Sequence, residues 1–183
     1  MTGVAEAIPA PDLPLAGIRI LELSTVVTAA LAATLMSEQG ATTIKVEPVG
    51  IGDTLRHLGT AREGVSAMFA NCNRGKRSVA LDLKRPEGLA IARELARDAD
   101  VLISNYRPGV LERLGLGAGT LRRDNPGLIH LSISGFGTAG PVAAARGSCV
   151  RVLLGPGRSN PPRRGLRRER RRPIRMRLAV SGS

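Results

Sequence analysis

The residues of this chain best placed to do chemistry are cations set beside turns and helix starts. Asn71 to Gly88 reads NCNRGKRSVALDLKRPEG. Asn71 to Arg77 is polar and basic, with Gly75 free to turn. Ser78 to Leu83 alternates, placing Val79, Leu81 and Leu83 on one face and Ser78, Ala80 and Asp82 on the other, as in a half-buried strand. Lys84 and Arg85 then precede Pro86-Glu87-Gly88, a proline at the first helical position with an acid in the first turn. Cations therefore lie on both sides of a short strand. The second pair sits beside a helix N-terminus, whose amides and dipole favour an anion. The same run also suits a surface loop with solvated charges. Downstream, Asn105, Arg107 and Arg113 flank one strand end and one short helix. They either cap and solvate these elements or bind a phosphorylated ligand, because guanidinium forks match phosphate oxygens.

Other site chemistries leave no trace. No Gly-x-Gly-x-x-Gly follows the first apolar run, and no Walker, His-Glu-x-x-His or Gly-x-Ser-x-Gly sequence occurs. His57 and His130 are isolated and read as satisfied or solvent-facing. Cys72 and Cys149 lack metal or redox spacing, which suggests a reducing, cytoplasmic setting without a disulfide framework.

The elements that must position these residues follow from period and punctuation. Ile18 to Leu23 (IRILEL) reads as a first strand, buried if parallel. Ser24 to Thr28 turns into a helix over Ala29 to Gln39, closed by Gly40. Ala41 to Val46 is a second strand, stopped by Glu47-Pro48. Val49 to Gly64 has four glycines and no period, predicting a long loop of the kind that is usually functional or mobile. Val65 to Ala70 suggests a helical turn. After the basic stretch, Pro86 to about Asp98 carries an apolar stripe of Leu89, Ile91, Ala92, Leu95 and Ala96 at helical spacing. Asp100 to Ser104 is a third central strand, Val110 to Leu114 a helical turn, Leu116 to Asp124 a short helix, and Gly127 to Ser134 a last strand. Alternating strands and crossover helices predict an α/β, Rossmann-like, mostly parallel sheet with flanking helices. Ligands of such sheets collect beyond the strands' C-terminal ends. That directs attention to 24–28, 47–53, 105–109 and 134–140.

Composition divides the chain. Its net charge is +12, hydrophobic residues make up 43% and aromatics only 2%, so the core must be built from Leu, Val, Ile and Ala. Residues 1–140 carry 15 Lys and Arg against 14 Asp and Glu, whereas 141–183 carry 12 Arg against the single acid Glu169. The basic character thus belongs to the last 43 residues. The expected organisation is a flexible leader over 1–14, a globular unit over 15–140, and a disordered Arg/Pro/Gly tail over 141–183. No apolar run of eighteen residues occurs, so no membrane span is expected.

Taken together, the segments resemble the class III CoA-transferase family, in which formyl-CoA transferase and the carnitine CoA-transferases fall and to which α-methylacyl-CoA racemase is related. The resemblance rests on Pro14-Leu15-Ala16-Gly17-Ile18-Arg19-Ile20-Leu21-Glu22-Leu23, on Gly40 to Pro48 (GATTIKVEP), and on Asn73 to Lys84 (NRGKRSVALDLK) with Pro86-Glu87-Gly88. It continues through Asp100 to Gly109 (DVLISNYRPG) with Leu111 to Gly115, and Asn125-Pro126 to Gly137. Five motifs in order over about 125 residues are far more specific than any one of them.

The resemblance implies transfer of CoA from an acyl-CoA to an organic acid through an aspartyl-CoA intermediate, with a carboxylate as nucleophile. It implies coenzyme A or acyl-CoA as substrate, no tightly bound cofactor, and an interlocked homodimer. By position, the CoA contacts it implies are Val27 and Thr28 after the first strand, Leu81, Asp82, Leu83 and Lys84, then Asn105, Tyr106 and Arg107, and Arg113. Several relatives carry a basic residue where this chain has Pro48.

The pattern breaks after Gly140-Pro141. Val142 to Ser183 contains neither Asp nor an aromatic residue, so the family's nucleophilic aspartate has no counterpart there and no catalytic residue is assigned. Arg, Pro, Gly, Ala and Val dominate, as when a GC-rich coding sequence is translated out of frame. A frame shift near Pro141 to Gly147 and a catalytically incomplete chain are the expectations. Two rivals are a racemase-type relative and an Arg-tailed nucleic-acid-binding protein. The second is disfavoured because no aromatic residue is interleaved for stacking.

Overall fold

The structure, a computed structural model, describes residues 13–63, 65–137 and 178–181. The expectations for the leader and for most of the Arg-rich tail lie outside the described residues.

Among the described residues eight strands and five α-helices follow in order: β1 (Arg19–Leu23), α1 (Thr28–Glu38), β2 (Thr42–Glu47), β3 (Ala61–Arg62), β4 (Val65–Ser66), α2 (Ala67–Asn73) and β5 (Arg77–Ala80). Then come α3 (Pro86–Arg97), β6 (Val101–Ser104), α4 (Val110–Arg113), α5 (Ala118–Asp124), β7 (Ile129–Ile133) and β8 (Leu178–Ser181). Six strands form one sheet in the order β5-β2-β1-β6-β7-β8. Every neighbouring pair is parallel except β7 and β8, which pair antiparallel. The α/β, mostly parallel architecture expected from the alternation of elements is the one observed. Winding reverses between β1 and β6, the kind of switch point beside which sheets of this type bind ligands beyond the strand ends.

The register explains why the two faces differ. Leu21, Leu23, Val46, Leu81 and Leu102 pack on one face with Ala92 and Ala96 of α3, Leu111 of α4 and Leu121 of α5. That layer is apolar apart from His130, which lies in register beside Leu102. On the other face Ile20 and Ile103 meet Ala29 and Ala33 of α1. Next to them Glu22 pairs in register with Lys45, and Lys45 with Ser78, so a polar stripe crosses three strands. Small residues let the helices approach. Ala29, Ala30 and Ala33 of α1 have no exposed surface, and α3 buries Gly88, Ala92 and Ala96, four residues apart. A Cβ on Gly88 would collide with the Asp82 carbonyl oxygen, so glycine there lets the helix start against the loop that follows β5.

Three local expectations change. Residues 49–64 are not featureless: Thr54–His57 forms a 3-10 turn capped by Asp53, and Ala61–Arg62 pairs with Val65–Ser66 as a hairpin. The helical turn expected over 65–70 is instead β4 followed by α2, which Ser66 caps by accepting from the Phe69 amide. The strand expected over 78–83 ends at Ala80, opposite Glu47. Its partner β2 runs into Pro48, which has no N–H to give, and the last sheet-like bond is Leu81 N–H to Glu47 O at 2.9 Å. Leu81 to Lys84 therefore leave the sheet as a loop, which brings them to the site.

Candidate functional site

Three loops meet at the C-terminal ends of the parallel strands, and among them lies a cleft of about 510 Å³. Its walls are Val46, Glu47, Pro48 and Val49 from the end of β2, Leu81 to Lys84 beyond β5, and Tyr106, Val110, Arg113 and Leu114 around α4. Six of the ten residues marked out by resemblance meet here: Leu81, Asp82, Leu83, Lys84, Tyr106 and Arg113. The lining combines apolar Leu, Val and Tyr surface with two exposed cations, Lys84 and Arg113. Such a cleft suits an amphipathic ligand with an anionic end.

Local sequence sets these positions. Lys84 N–H donates to Asp82 Oδ1 at 3.0 Å, an Asx turn that folds the segment toward Pro86 and the start of α3. Gly109 caps α4 with a positive φ of 80°, and a Cβ there would lie 3.1 Å from Arg113 Nη1. Glycine thus gives the guanidinium room to lie back over the helix start. Tyr106 packs its ring on the apolar layer, and burial pushes its hydroxyl pKa up.

The other four predicted residues lie elsewhere. Val27 packs with Ala30, Leu55 and Cys72, and Thr28 opens α1. Arg107 is exposed on the turn before α4 and is not part of the cleft wall. Asn105 is committed to the turn after β1. Its Oδ1 accepts from Thr25 N–H at 3.0 Å, and its Nδ2 donates to Thr25 O at 2.6 Å and Thr28 Oγ1 at 3.2 Å.

Sequence reasoning missed what lies under the cleft. Glu22, fully buried in β1, accepts from Lys45 Nζ at 2.6 Å, Lys76 Nζ at 2.6 Å and Ser24 Oγ at 2.5 Å. Lys45 also reaches Asp53 Oδ2 at 2.8 Å. Lys76 completes its coordination with the carbonyls of Ala30 and Cys72 at 2.7 and 2.8 Å and with Asn73 Oδ1 at 3.1 Å. Beside this group, Glu47 takes both Arg56 nitrogens, Nε at 2.7 Å and Nη2 at 2.8 Å, together with Ser78 Oγ at 2.6 Å and the Asp53 amide at 2.8 Å. Arg56 in turn lies 3.8 Å above the Phe69 ring. Three acids and three bases thus close a neutral network. Burial pushes Lys45 down, but Glu22 and Asp53 outweigh it and hold its pKa above the ordinary value. For Lys76 burial prevails over Glu22, and its pKa falls. No single residue signals this network; its members become partners only through the strand register, which sets buried charges where they have to pair across the sheet.

Glu47 makes acid stability testable. Burial alone would raise its carboxyl, yet Arg56, Ser78 and the Asp53 amide hold it at about 2 against an ordinary 4.5. A depressed carboxyl contributes its stability fully above the unfolded value and loses it as pH falls through the folded one. The window is therefore from pH 4.5 down to about 2. Across it the wild type is expected to lose about 3 kcal/mol on this account. Denaturant melts at stepped pH should show an acid limb that is flattened in Glu47→Gln; equal slopes for the two proteins would contradict it.

Among the described residues no group of three His, Cys, Asp or Glu could hold a metal, and no helix is long and apolar enough to cross a membrane. His130 is buried in β7, where burial lowers its pKa, and it lies on the apolar layer away from the cleft.

The family model for CoA-transferase family III matches residues 15–149. The beta subunit of a succinyl-CoA–L-malate CoA-transferase from Chloroflexus aurantiacus is 47% identical over 131 residues, which is 70% of this chain and 32% of that one. An acetyl-CoA:oxalate CoA-transferase from Acetobacter aceti is 43% identical over 141 residues, 76% of this chain and 36% of that one. The crystal structure of a CAIB/BAIF family protein from Brucella suis superposes with a TM-score of 0.70 at 38% identity, covering 74% of this chain and 37% of that one. The chain spans about a third of the length of the curated relatives it matches.

Proposed function

The chain belongs to CoA-transferase family III, and from that premise we propose that its cleft binds coenzyme A in an acyl-CoA:carboxylate CoA transfer. The observation that carries the reading is the cleft at the carboxyl edge of the sheet, in which Lys84 and Arg113 border an apolar wall of Leu81, Leu83 and Tyr106. Lys84 and Arg113 would neutralise phosphate, and the apolar wall would take the adenine or the pantetheine arm. Val27, Thr28, Asn105 and Arg107 would border the ligand where it passes the switch point. Asp82, already bonded to the Lys84 amide, would hold its loop in place.

The named relatives act on acyl-CoA thioesters with malate or oxalate, so the reading extends to an acyl-CoA donor and a small organic acid as acceptor. Because those relatives are transferases, transfer is favoured over the racemase-type alternative. The attacking carboxylate of the family chemistry is assigned to no residue of the cleft. A cytoplasmic location and an interlocked homodimer complete the proposal.

Phosphate dependence is the direct test. Calorimetric titration of the chain should give coenzyme A an affinity about tenfold or more above that of pantetheine, which keeps the apolar arm and lacks the phosphates. Raising salt should narrow the gap, since the cations are exposed. Equal affinities, or no binding of coenzyme A at all, would overturn the reading.

A further inference from the structure

Val26 is a β-branched residue in the left-handed region, with φ 63°, on the turn between β1 and α1. That conformation costs free energy for valine and persists only where surrounding contacts over-determine it. Two side chains from distant segments supply them. Asn105, at the end of β6, brackets Thr25 by its N–H at 3.0 Å and its carbonyl at 2.6 Å. Asp53, from the loop after β2, accepts from the next amide, Val26 N–H, at 3.2 Å.

Asp53 is only 1% exposed and has four further attachments. Its Oδ1 also takes Leu55 N–H at 2.9 Å and, more weakly, Thr54 Oγ1 at 3.5 Å. Its Oδ2 meets Lys45 Nζ at 2.8 Å, and its own amide donates to Glu47 Oε2 at 2.8 Å. Glu47 and its neighbours Pro48 and Val49 form one wall of the cleft. One buried carboxylate thus joins the cleft wall, the 3-10 turn and the strained turn after β1. Asn105 joins that same strained turn to Tyr106, on the opposite wall. Neither side chain needs to touch a ligand to act.

We propose that Asp53 and Asn105 are positioning residues, a two-sided clamp that holds the Val26 turn in its left-handed form and couples it to two walls of the cleft, at Glu47 and at Tyr106. Their effect on a ligand rests on the coenzyme A reading above; the clamp itself does not. The clamp holds the turn in one shape against the strain at Val26, so the ligand meets a preformed surface.

Hydrogen exchange and calorimetry on the full 183-residue chain separate the two claims. Asp53→Asn keeps the shape of the side chain and removes its charge. In the absence of ligand, amides of both 24–28 and 48–58 should exchange about tenfold faster than in the wild type. Acceleration confined to 48–58 would overturn the clamp. On folded protein at matched folded fraction, coenzyme A affinity should fall about tenfold, an effect a merely stabilising role would not produce. Unchanged affinity beside a binding-competent wild type would overturn the coupling. If the wild type ignores coenzyme A, the ligand reading fails and the exchange pattern alone decides the clamp. Val26→Gly serves where Asp53→Asn does not fold. Glycine takes φ 63° without strain, so Val26→Gly should hold or raise the melting temperature, and added to Asp53→Asn it should return exchange at 24–28 to within about threefold of the wild-type rate. A Val26→Gly chain that melts well below the wild type, or an Asp53→Asn exchange pattern that Val26→Gly leaves unchanged, would also overturn the proposal.

Discussion

Glu22→Ala is expected to destabilise the fold by about 3 to 5 kcal/mol, since removing one member of a buried charge group leaves the others unpaired. Glu22 has no exposed surface, and it neutralises two lysines whose side chains are 1% and 2% exposed. Without it, Lys45 keeps Asp53, but Lys76 is left with carbonyl and amide oxygens and a like charge nearby. A loss of that size is a large share of the roughly 5 to 15 kcal/mol that holds most domains together. Thermal unfolding should show a fall of about 10 °C or more. The internal control is Glu38→Ala. It breaks an ion pair with Arg74 of comparable length, 2.5 Å, between side chains 41% and 48% exposed. Solvent screens that pair, so its loss should cost no more than about 1 kcal/mol. Equal losses in the two variants would show that burial does not set the worth of this network.

The second large effect concerns binding. Lys84→Glu combined with Arg113→Glu replaces two attractive charges at the cleft by two repulsive ones. Each charge-assisted contact to phosphate is worth about 1.5 to 3 kcal/mol, so coenzyme A affinity should fall at least about a hundredfold. Both side chains are exposed and neither belongs to the buried network, so the melting temperature should stay within a few degrees. Calorimetry at low salt, beside a thermal melt, reads both numbers. An unaltered affinity in the folded double variant would move the phosphates to another surface.

Much of the fold was legible because buried parallel strands announce themselves. IRILEL, ATTIKV and DVLIS are short apolar runs closed by turn residues, and the helices between them carry small or apolar residues at helical spacing. Other features needed tertiary information. The alternation through Leu83 looks like one strand, but β5 can pair only as far as β2 runs, and β2 ends at Glu47, just before Pro48. The hairpin of β3 and β4 has only two residues in each strand and carries too little pattern to read. Lys84, Tyr106 and Arg113 were marked by sequence, and the cleft joins them; Asn105 was marked too, yet its amide is spent on Thr25 and Thr28. Glu22, Lys45 and Asp53 escaped notice because each looks ordinary alone. Only the register of β1 against β2 reveals that two of them are adjacent and buried.

The placement of coenzyme A over the carboxyl edge of the sheet is tested most directly by mapping amide exchange with and without saturating coenzyme A. Protection should concentrate in 81–85 and 106–114, with 24–28 slowed beside them, while 118–133, none of which lines the cleft, stays unchanged. Protection that appears only in 118–133, or no difference anywhere at a coenzyme concentration far above millimolar, would contradict the account.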